Sequence, residues 1–498
     1  MSVADSLSGK RILLTGATGF VGKVFLAFLL ERLPGVQILL AVRTRGRVER
    51  PLIRVERMVA TSPAFRPLRA RHGDHLGPWL ASRLDAVASD VEKPLFGWTE
   101  DDLAARSGID LVVHCAGLTD FAPDPLRALA ANTLGAHHAS QLAQRLGAHL
   151  VHVSTAFAVG MADGLVSEQL DVGVSPLGLR FDPIEEVRAA FAACRESDVA
   201  QDVDGRVSRI TERAKRLGWA NVYTYTKGLA EHLIGARGRV TIVRPSIVEC
   251  ARAVPFAGWN EGLNTSGPLA WLISTAFRDL PADPDAPFDV VPVDDVAIGL
   301  VLACAAALGP QPPALLHLAS GDVRPLTLGR TIELTGLAMR RWARDHGNRW
   351  DRLLFAHLDP VAVPAEAPGP FAAARVARFA RWASEQLGEG SWREAALTTA
   401  DQAERVDRML ALYRPFIHDH RWVFRTDTVR ALSALEPDPD FRWTVGDIDW
   451  RRYWIDVEYP GLRRWCIPLV WGGTIEKDEA TSPPLRIAAG APASAVAK

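Results

Sequence analysis

Short apolar runs alternate with helical stretches of mixed polarity over about residues 11 to 320. The apolar runs are nearly continuous, which is typical of strands that are buried on both faces of a parallel sheet. Their regular alternation with helices predicts an α/β fold with a doubly wound parallel sheet. We predict strands over residues 11–15, 36–42, 84–87, 110–115, 149–155, 240–244, 289–293 and 315–319, and helices over 21–33, 125–146, 223–234 and 294–307.

Residues 161–221 interrupt this alternation. They carry charged helical patterns over 184–195 and 207–217, where a minimal fold of this kind needs only a short connection. Long insertions beside a cleft often carry substrate contacts, and we expect that role for this one.

The pattern becomes helical after about residue 325. Candidate helices cover 328–345 and 400–412, and a stretch rich in Pro and Ala over 357–370 predicts a connection. Because 498 residues exceed one ordinary core, we expect two domains or more. The predicted division is a first domain over 1–325, a mostly helical second domain over 326–478 and a disordered tail over 479–498.

The composition excludes several classes of function. Hydrophobic residues make up 48% of the chain, and the net charge of −1 gives no field that would attract nucleic acid or an anionic membrane. The five cysteines are scattered, so we expect neither a disulfide framework nor a metal site. The best apolar run, 296–308, is too short to span a bilayer. We therefore expect a cytoplasmic protein.

Fifteen tryptophans, many of them from Trp342 onward, have two explanations. Apolar packing is favoured because buried aromatic residues are the commoner case. The alternative is a membrane-facing surface, which would attach the protein peripherally to a bilayer.

A glycine-rich segment joins the first predicted strand to the first predicted helix. Glycines there let the backbone turn sharply and approach a pyrophosphate, while the helix N-terminus offers N–H donors and positive potential. The flanking strand and helix favour a dinucleotide-binding loop over an ordinary glycine-rich turn. The segment reads Thr15-Gly16-Ala17-Thr18-Gly19-Phe20-Val21-Gly22.

The end of the second predicted strand separates the two nicotinamide cofactors. An acidic residue there would bind a ribose 2′-OH, whereas arginine accommodates a 2′-phosphate. The chain has Arg43 and Arg45 at this place and no acid, which favours NADP over NAD. The alternative is that Arg43 is a solvated loop cation. Further candidate cofactor contacts follow the third and fourth strands, at Asp90-Val91 and at Cys115-Ala116-Gly117.

Tyr223 and Lys227 are four residues apart on a predicted helix and share one of its faces. A phenol has a pKa of about 10, and a nearby ammonium lowers it, which makes a proton donor for a carbonyl. The fifth predicted strand ends in Ser154 and Thr155, at the sheet edge where such folds bind ligands. Successive side chains of a strand point to opposite faces, so we expect only one of these two to face the nicotinamide.

These residues predict acid–base chemistry on a carbonyl. Tyr223 would donate a proton to the substrate oxygen, and the strand-end hydroxyl would hold that oxygen while hydride arrives. Lys227 would bind the nicotinamide ribose, and Asn132, on the helix after the fourth strand, would orient Lys227 through water. Two alternatives stay open, namely hydroxyls that merely cap the strand end and a Tyr223 that is an ordinary core residue.

With these residues in place, the chain resembles the extended short-chain dehydrogenase/reductases and, within them, the fatty acyl-CoA reductases. The resemblance covers about residues 9 to 465 and is weakest over 161–221 and 340–400. The further segments that carry it are 242–249, 255–262 with its Pro-Phe-x-Gly-Trp pattern, 290–294, 317–321, 424–427 and 448–453.

The resemblance implies several roles. Thr155 lies five residues before Gly160, where extended members place the carbonyl-binding hydroxyl, so Ser154 becomes the second candidate. The implied reaction is the NADPH-dependent reduction of a long-chain fatty acyl-CoA to the aldehyde and on to the primary fatty alcohol. Cofactor contacts are also implied for Pro245, Ser246 and Ile247.

Other functions are not excluded by the sequence. In one alternative, the enzyme reduces an acyl-CoA or an acyl carrier protein thioester and stops at the aldehyde. A reductase of another carbonyl, such as a sugar nucleotide or a steroid, is a second, although the Gly-Trp segment and the helical region argue against it. A non-catalytic NADPH-binding scaffold is a third, and the complete set of Thr155, Tyr223 and Lys227 argues against that.

Overall fold

The computed structural model describes residues 2–44, 50–196, 201–262, 266–267, 270, 279–349, 352, 360–364, 372–470, 473–474, 476–479 and 484–487. The strands in these ranges are β1 Arg11–Thr15, β2 Gln37–Val42, β3 Leu84–Ala88, β4 Leu111–His114, β5 His149–Val153, β6 Gly164–Val166, β7 Val240–Pro245, β8 Ile247–Glu249, β9 Asp279–Pro281, β10 Val290–Pro292, β11 Leu315–Leu318, β12 Val361–Val363 and β13 Trp422–Phe424.

Helices cover both faces of the sheet and dominate the chain after β11. The α-helices are α1 Val3–Leu7, α2 Phe20–Arg32, α3 Pro51–Thr61, α4 Arg66–His72, α5 Leu76–Ala81, α6 Glu100–Ala105, α7 Pro125–Ala128, α8 Gly135–Leu146, α9 Pro183–Cys194, α10 Val203–Leu217, α11 Val222–Ile234, α12 Val293–Ala307, α13 Leu328–His346, α14 Ala373–Gln386, α15 Ser391–Arg414, α16 Asp427–Ala434, α17 Trp450–Tyr453, α18 Tyr459–Trp465 and α19 Ile467–Val470. Segments of π-helix cover Leu129–Leu134, Pro415–Asp419 and Trp454–Glu458.

Seven of the described strands form one sheet in the order β3-β2-β1-β4-β5-β7-β11, and all of its pairings are parallel. Strand β1 pairs with β2 on one side and with β4 on the other, so the strand order reverses between β1 and β4. In open parallel sheets, ligands bind in the crevice at the carboxyl ends of the strands where the order reverses. The predicted doubly wound sheet is therefore confirmed.

One predicted strand lies elsewhere. The apolar run predicted as a strand over 289–293 is β10, and it pairs with β8 in a separate two-stranded sheet. Strand β8 begins only two residues after β7 ends, and β10 pairs with β8 instead of joining the main sheet. An apolar run predicts a buried strand but not its partner, so this placement could not be read from the pattern.

Helix α11 is fixed over the sheet at both of its ends. Asn221 caps its N-terminus and accepts a hydrogen bond from the Thr224 N–H at 2.9 Å. Near the other end, Glu231 forms a buried ion pair with Arg244 of β7, with Nε 2.9 Å from Oε1. Breaking such a pair is costly, because it leaves a buried charge without a partner.

The helical region after residue 326 packs on the sheet domain and shares its core. Trp454 and Trp465 are fully buried in the same hydrophobic cluster as the apolar residues of β1 and α2. The Tyr453 hydroxyl donates to the Cys250 carbonyl at 2.6 Å, and the rings of Trp259 and Trp465 lie 4.8 Å apart. The two predicted domains are thus in close contact along β8 and the segment that follows it.

Most of the described tryptophans after Trp342 are packed inside the protein. Trp422, Trp443, Trp450, Trp454 and Trp465 are buried, as the packing interpretation predicts. Two others, on α14 and α15, are exposed: Trp382 at 56% and Trp392 at 80%. No described helix is both long and apolar enough to cross a membrane.

The insertion over 161–221 is joined to the helical region. Strand β6 pairs in parallel with β13, and helices α9 and α10 occur close to their predicted positions. The Glu168 carboxylate accepts hydrogen bonds from the N–H groups of His317 and Thr428, each at 2.8 Å. These bonds hold the insertion, β11 and α16 together beside the edge of the sheet.

Two predicted irregular segments contain order. The predicted connection over 357–370 contains a short strand, β12, which pairs with β9. Within the predicted disordered tail, Ile487 is buried against the core, and its N–H donates to Glu56 at 2.8 Å. Residues 480–483 and 488–498 of that tail lie outside the described residues.

Candidate active site

A cavity of about 460 Å³ lies at the carboxyl ends of β1, β4, β5 and β7, where the strand order reverses. The predicted site residues that line it are Gly16, Thr18, Gly19, Phe20, Val21, Gly22, Cys115, Gly117, Ser154, Thr155, Tyr223, Lys227, Pro245, Ser246 and Ile247. The predicted residues outside its lining are Thr15, Arg43, Asp90, Val91, Ala116 and Asn132. Arg45 lies outside the described residues.

The glycine loop is packed so tightly that side chains would not fit. Gly16 has φ +73°, and a Cβ there would lie 2.5 Å from the carbonyl carbon of Cys115. A Cβ on Gly22 would lie 2.2 Å from the Gly16 oxygen. The loop ends at Gly19, the N-cap of the 13-residue helix α2, whose first N–H groups have no partner within the helix. This cradle fits the pyrophosphate of a dinucleotide.

Two of the predicted residues support the site from outside the cavity. The Thr15 hydroxyl lies 2.9 Å from His114 Nδ1 and accepts from the Ala116 N–H at 3.2 Å, so it ties β1 to the loop after β4. Asn132 is fully buried and binds the backbone of Leu118 through both of its amide atoms, at 2.7 and 3.1 Å. Both residues act on the backbone that borders the cavity.

Arg43 and Asp90 are brought together at the ends of β2 and β3. The Arg43 guanidinium lies 3.1 Å from Asp90 Oδ1 and 2.5 Å from Glu92 Oε1, and the bond to Glu92 is the main reason that its pKa is raised. Sequence reasoning missed Glu92. The Val91 carbonyl lies 2.9 Å from His138 Nδ1, which fixes the turn after β3.

Tyr223 and Thr155 both line the cavity, with the Thr155 hydroxyl near enough to the phenol to act on its pKa. Burial raises the pKa of Tyr223 to about 12, and the Thr155 hydroxyl acts in the opposite direction. The expected lowering of this pKa by Lys227 does not occur, because burial dominates and the ammonium donates to the Val153 carbonyl at 2.9 Å. The phenol is therefore fully protonated near neutral pH.

Lys227 is buried where it lines the cavity, and its ammonium loses a proton more readily than that of a free lysine. Burial lowers its pKa to about 8, whereas the nearby Cys115 and Glu231 act in the opposite direction. A Cβ on Gly117 would lie 3.4 Å from Lys227 Nζ and 3.0 Å from Asn132 Oδ1, so these two polar groups border the same glycine. No direct hydrogen bond joins Asn132 and Lys227 in the described structure, and the orientation of Lys227 by Asn132 through water stays a prediction.

Ser154 and Thr155 both line the cavity, so the lining alone leaves either of them as the residue that faces the nicotinamide. Strand β5 ends at Val153, before either residue, so the alternation of a strand does not apply to them. Thr155 is the N-cap of a short 3₁₀ helix and accepts from the Phe157 N–H at 3.4 Å. The Ser154 hydroxyl is buried and has no hydrogen-bond partner in the described structure.

Several cavity residues were not found by sequence reasoning. Glu261 lines the cavity and pairs with the buried Lys23 of α2 at 2.5 Å. Glu261 belongs to the segment 255–262, which carries the family resemblance, so the sequence did mark this region. Phe121 and Phe157 also line the cavity, but as single apolar residues in loops they carry no pattern. The other residues that were missed are Thr119, Val153, Val248 and Gly262.

Comparisons with known proteins agree with this geometry. The family model described as male sterility protein matches residues 14–299. A probable fatty acyl-CoA reductase of Arabidopsis thaliana is 30% identical over 352 residues, which cover 67% of this chain and 71% of the relative. The chain belongs to the fatty acyl-CoA reductase family. The resemblance inferred from the motifs is thereby confirmed, and membership supports an oxidoreductase with a nicotinamide cofactor.

Two further proteins are similar to this chain, one in sequence and one in fold. The alcohol-forming fatty acyl-CoA reductase of Simmondsia chinensis is 28% identical, over 67% of this chain and 71% of that protein. The terminal R domain of the myxalamid PKS-NRPS pathway is 19% identical with a TM-score of 0.54, over 91% of this chain and 93% of that one. At this identity the structural match shows the fold alone, and it includes the helical region.

The tight packing of Gly16 generates a prediction. We expect Gly16→Ala to weaken cofactor binding by more than about tenfold, because the new Cβ would push the loop away from Cys115. The matched control is Gly147→Ala, at φ +67° with no atom within 4 Å of the new Cβ. Both variants incur left-handed strain of about 1–2 kcal/mol. Equal cofactor affinity of the two folded variants, measured by titration calorimetry, would contradict the assignment of this loop as the binding site of the cofactor pyrophosphate.

Proposed function

We propose that this member of the fatty acyl-CoA reductase family reduces a long-chain fatty acyl-CoA with NADPH, first to the aldehyde and then to the primary alcohol. The observation that carries the proposal is that Tyr223 and Thr155 line one cavity together with Lys227 and the glycine loop. The substrate class is supported by relatives that are named fatty acyl-CoA reductases, one of them alcohol-forming.

NADPH is favoured over NADH by Arg43 at the end of β2. Its guanidinium is half exposed, and its partners Asp90 and Glu92 are themselves accessible, so a 2′-phosphate can compete with them for the cation. The residues that would hold the cofactor are the glycine loop, the turn at Cys115 and Gly117, and Lys227. A nicotinamide in this cavity supplies the hydride.

Tyr223 acts as the proton donor to the carbonyl oxygen. With a pKa of about 12 it carries its proton throughout the neutral range, and the oxygen becomes basic enough to take it only as negative charge develops. Thr155 contributes a second hydrogen bond to that oxygen. The Phe157 N–H already donates to the Thr155 oxygen, which leaves the Thr155 proton for another acceptor.

The first reduction of a thioester gives a hemithioacetal, which expels the thiol and becomes the aldehyde. The aldehyde presents the same carbonyl to the same two hydroxyls, so one site serves both steps. Capture of the acyl group by Cys115 is disfavoured, because burial raises the pKa of this thiol to about 11 and leaves little thiolate at neutral pH.

Turnover with a fatty acyl thioester tests the proposal. We expect the purified protein to oxidise two NADPH for each palmitoyl-CoA, to form hexadecanol, and to use NADH less efficiently. One NADPH per thioester would favour the aldehyde-forming alternative. No thioester-dependent oxidation of NADPH, across chain lengths and with CoA and acyl carrier protein, would refute the proposal.

Replacing the proton donor gives a sharper version of this test. Tyr223→Phe should lower kcat by about 10²–10⁴-fold while NADPH binding stays nearly intact. The control is Tyr225→Phe on the same helix, whose hydroxyl donates to Glu186 and which does not line the cavity. Turnover of Tyr223→Phe at the wild-type rate would remove Tyr223 from the mechanism.

The lowered pKa of the buried Lys227 predicts how kcat/KM for NADPH falls at alkaline pH. Because the pKa of Lys227 is lowered to about 8, its ammonium is present below that pH and is lost above it. We therefore expect kcat/KM for NADPH, which reports the enzyme without cofactor, to fall as the pH rises through about 8.

A conservative variant separates Lys227 from other groups. Arginine keeps its charge in this range, so in Lys227→Arg the fall should move to higher pH, whatever the absolute rate. The phenol of Tyr223, with a pKa of about 12, cannot produce a fall near pH 8. An unchanged profile in a folded Lys227→Arg variant would contradict this assignment.

A further inference from the structure

Two phenylalanine rings form part of the apolar lining of the cavity. Phe121 follows β4 and Phe157 follows β5, and both line the cavity. The Phe121 ring lies 5.9 Å from the ring of Tyr223, so this apolar surface begins beside the proton donor. A chain attached to a carbonyl at Tyr223 would therefore meet these rings first.

A third ring, from the helical region, contacts both of these rings from outside the cavity lining. Phe416, in the π-helical segment Pro415–Asp419, has its ring centroid 5.1 Å from that of Phe121 and 5.1 Å from that of Phe157. It is stacked on Phe121 with an interplanar angle of 18° and stands edge-on to Phe157 at 87°. Phe416 therefore supports both lining rings from behind.

Phe416 itself is held firmly in place. It is buried, and Trp422 lies 5.7 Å from it in the same aromatic cluster. Trp422 donates from Nε1 to the Gly160 carbonyl at 3.0 Å and belongs to β13, which pairs with β6 of the insertion. Phe424 of the same strand stands edge-on to Phe157 at 5.4 Å. The wall behind the lining rings is thus built from the insertion and the helical region together.

We propose that Phe416 sets the width of the slot between Phe121 and Phe157, and that this slot selects unbranched acyl chains beside the reacting carbonyl. The inference rests on the proposed function, in that the substrate is an acyl thioester. Phe416 acts as a positioning residue, because it fixes the two rings that contact the chain. The helical region thereby contributes to substrate selection without contributing a catalytic group.

The size of the effect follows from hydrophobic pockets in general. One methylene group that fits or clashes in such a pocket changes kcat/KM by about 10–200-fold. Phe416→Leu removes ring atoms behind the two lining rings, so that these rings can move into the freed space and the slot becomes wider. We therefore expect a methyl branch near the carbonyl, which the wild-type slot rejects, to be accepted in the variant.

The test compares palmitoyl-CoA with palmitoyl-CoA that carries a β-methyl branch, under saturating NADPH. In Phe416→Leu, the ratio of kcat/KM for the branched over the straight substrate should rise by about tenfold over wild type. Phe121→Leu, which alters the slot directly at a less buried ring, should raise the same ratio. The control is Phe441→Leu, a buried phenylalanine of the helical region that packs on Phe28, and it should leave the ratio unchanged.

The outcomes separate this inference from the function on which it rests. If the wild type reduces no acyl thioester, across chain lengths and with CoA and acyl carrier protein, the proposed function fails and the slot assignment fails with it. If the wild type is active and the ratio in folded Phe416→Leu equals that of wild type, only the slot assignment is overturned. Should Phe416→Leu not fold, Phe121→Leu decides, and an unchanged ratio in that variant overturns the inference.

Discussion

The hydrogen bond from Lys227 to the Val153 carbonyl joins the two elements on which the site depends. Val153 is the last residue of β5, so this bond fixes α11 to the strand end from which Ser154 and Thr155 follow. The same packing places Tyr223 against Thr155. Both side chains are buried by this packing, and their burial lowers the pKa of Lys227 and raises that of Tyr223. The geometry and the acid–base properties of the site therefore have one physical cause.

Features with a local pattern were predictable from the sequence. The main sheet, the glycine loop and the shared face of Tyr223 and Lys227 are set by residues that are close in the chain, and continuous apolar runs or fixed spacings reveal them. The direction of the Tyr223 pKa shift was not predictable in this way. It depends on how deeply the phenol is buried and on which acceptor the ammonium selects, and both are decided by tertiary packing.

Long-range pairings were not predictable either. Nothing in the sequence indicates that Phe416 stacks on Phe121, since the two lie almost 300 residues apart and each is a single apolar position. The partner of β10 and the order within the tail at Ile487 were missed for the same reason. The helical region shares the core of the sheet domain, and its Phe416 packs on two of the rings that line the cavity.

The central claim is that one pair of hydroxyls serves two successive reductions of the same carbon. It is tested most directly with NADPH deuterated at the transferring carbon, palmitoyl-CoA as substrate and mass spectrometry of the product. The account predicts hexadecanol with two deuterium atoms on the alcohol carbon. Hexadecanal with a single deuterium as the final product, in the presence of excess cofactor, would contradict it.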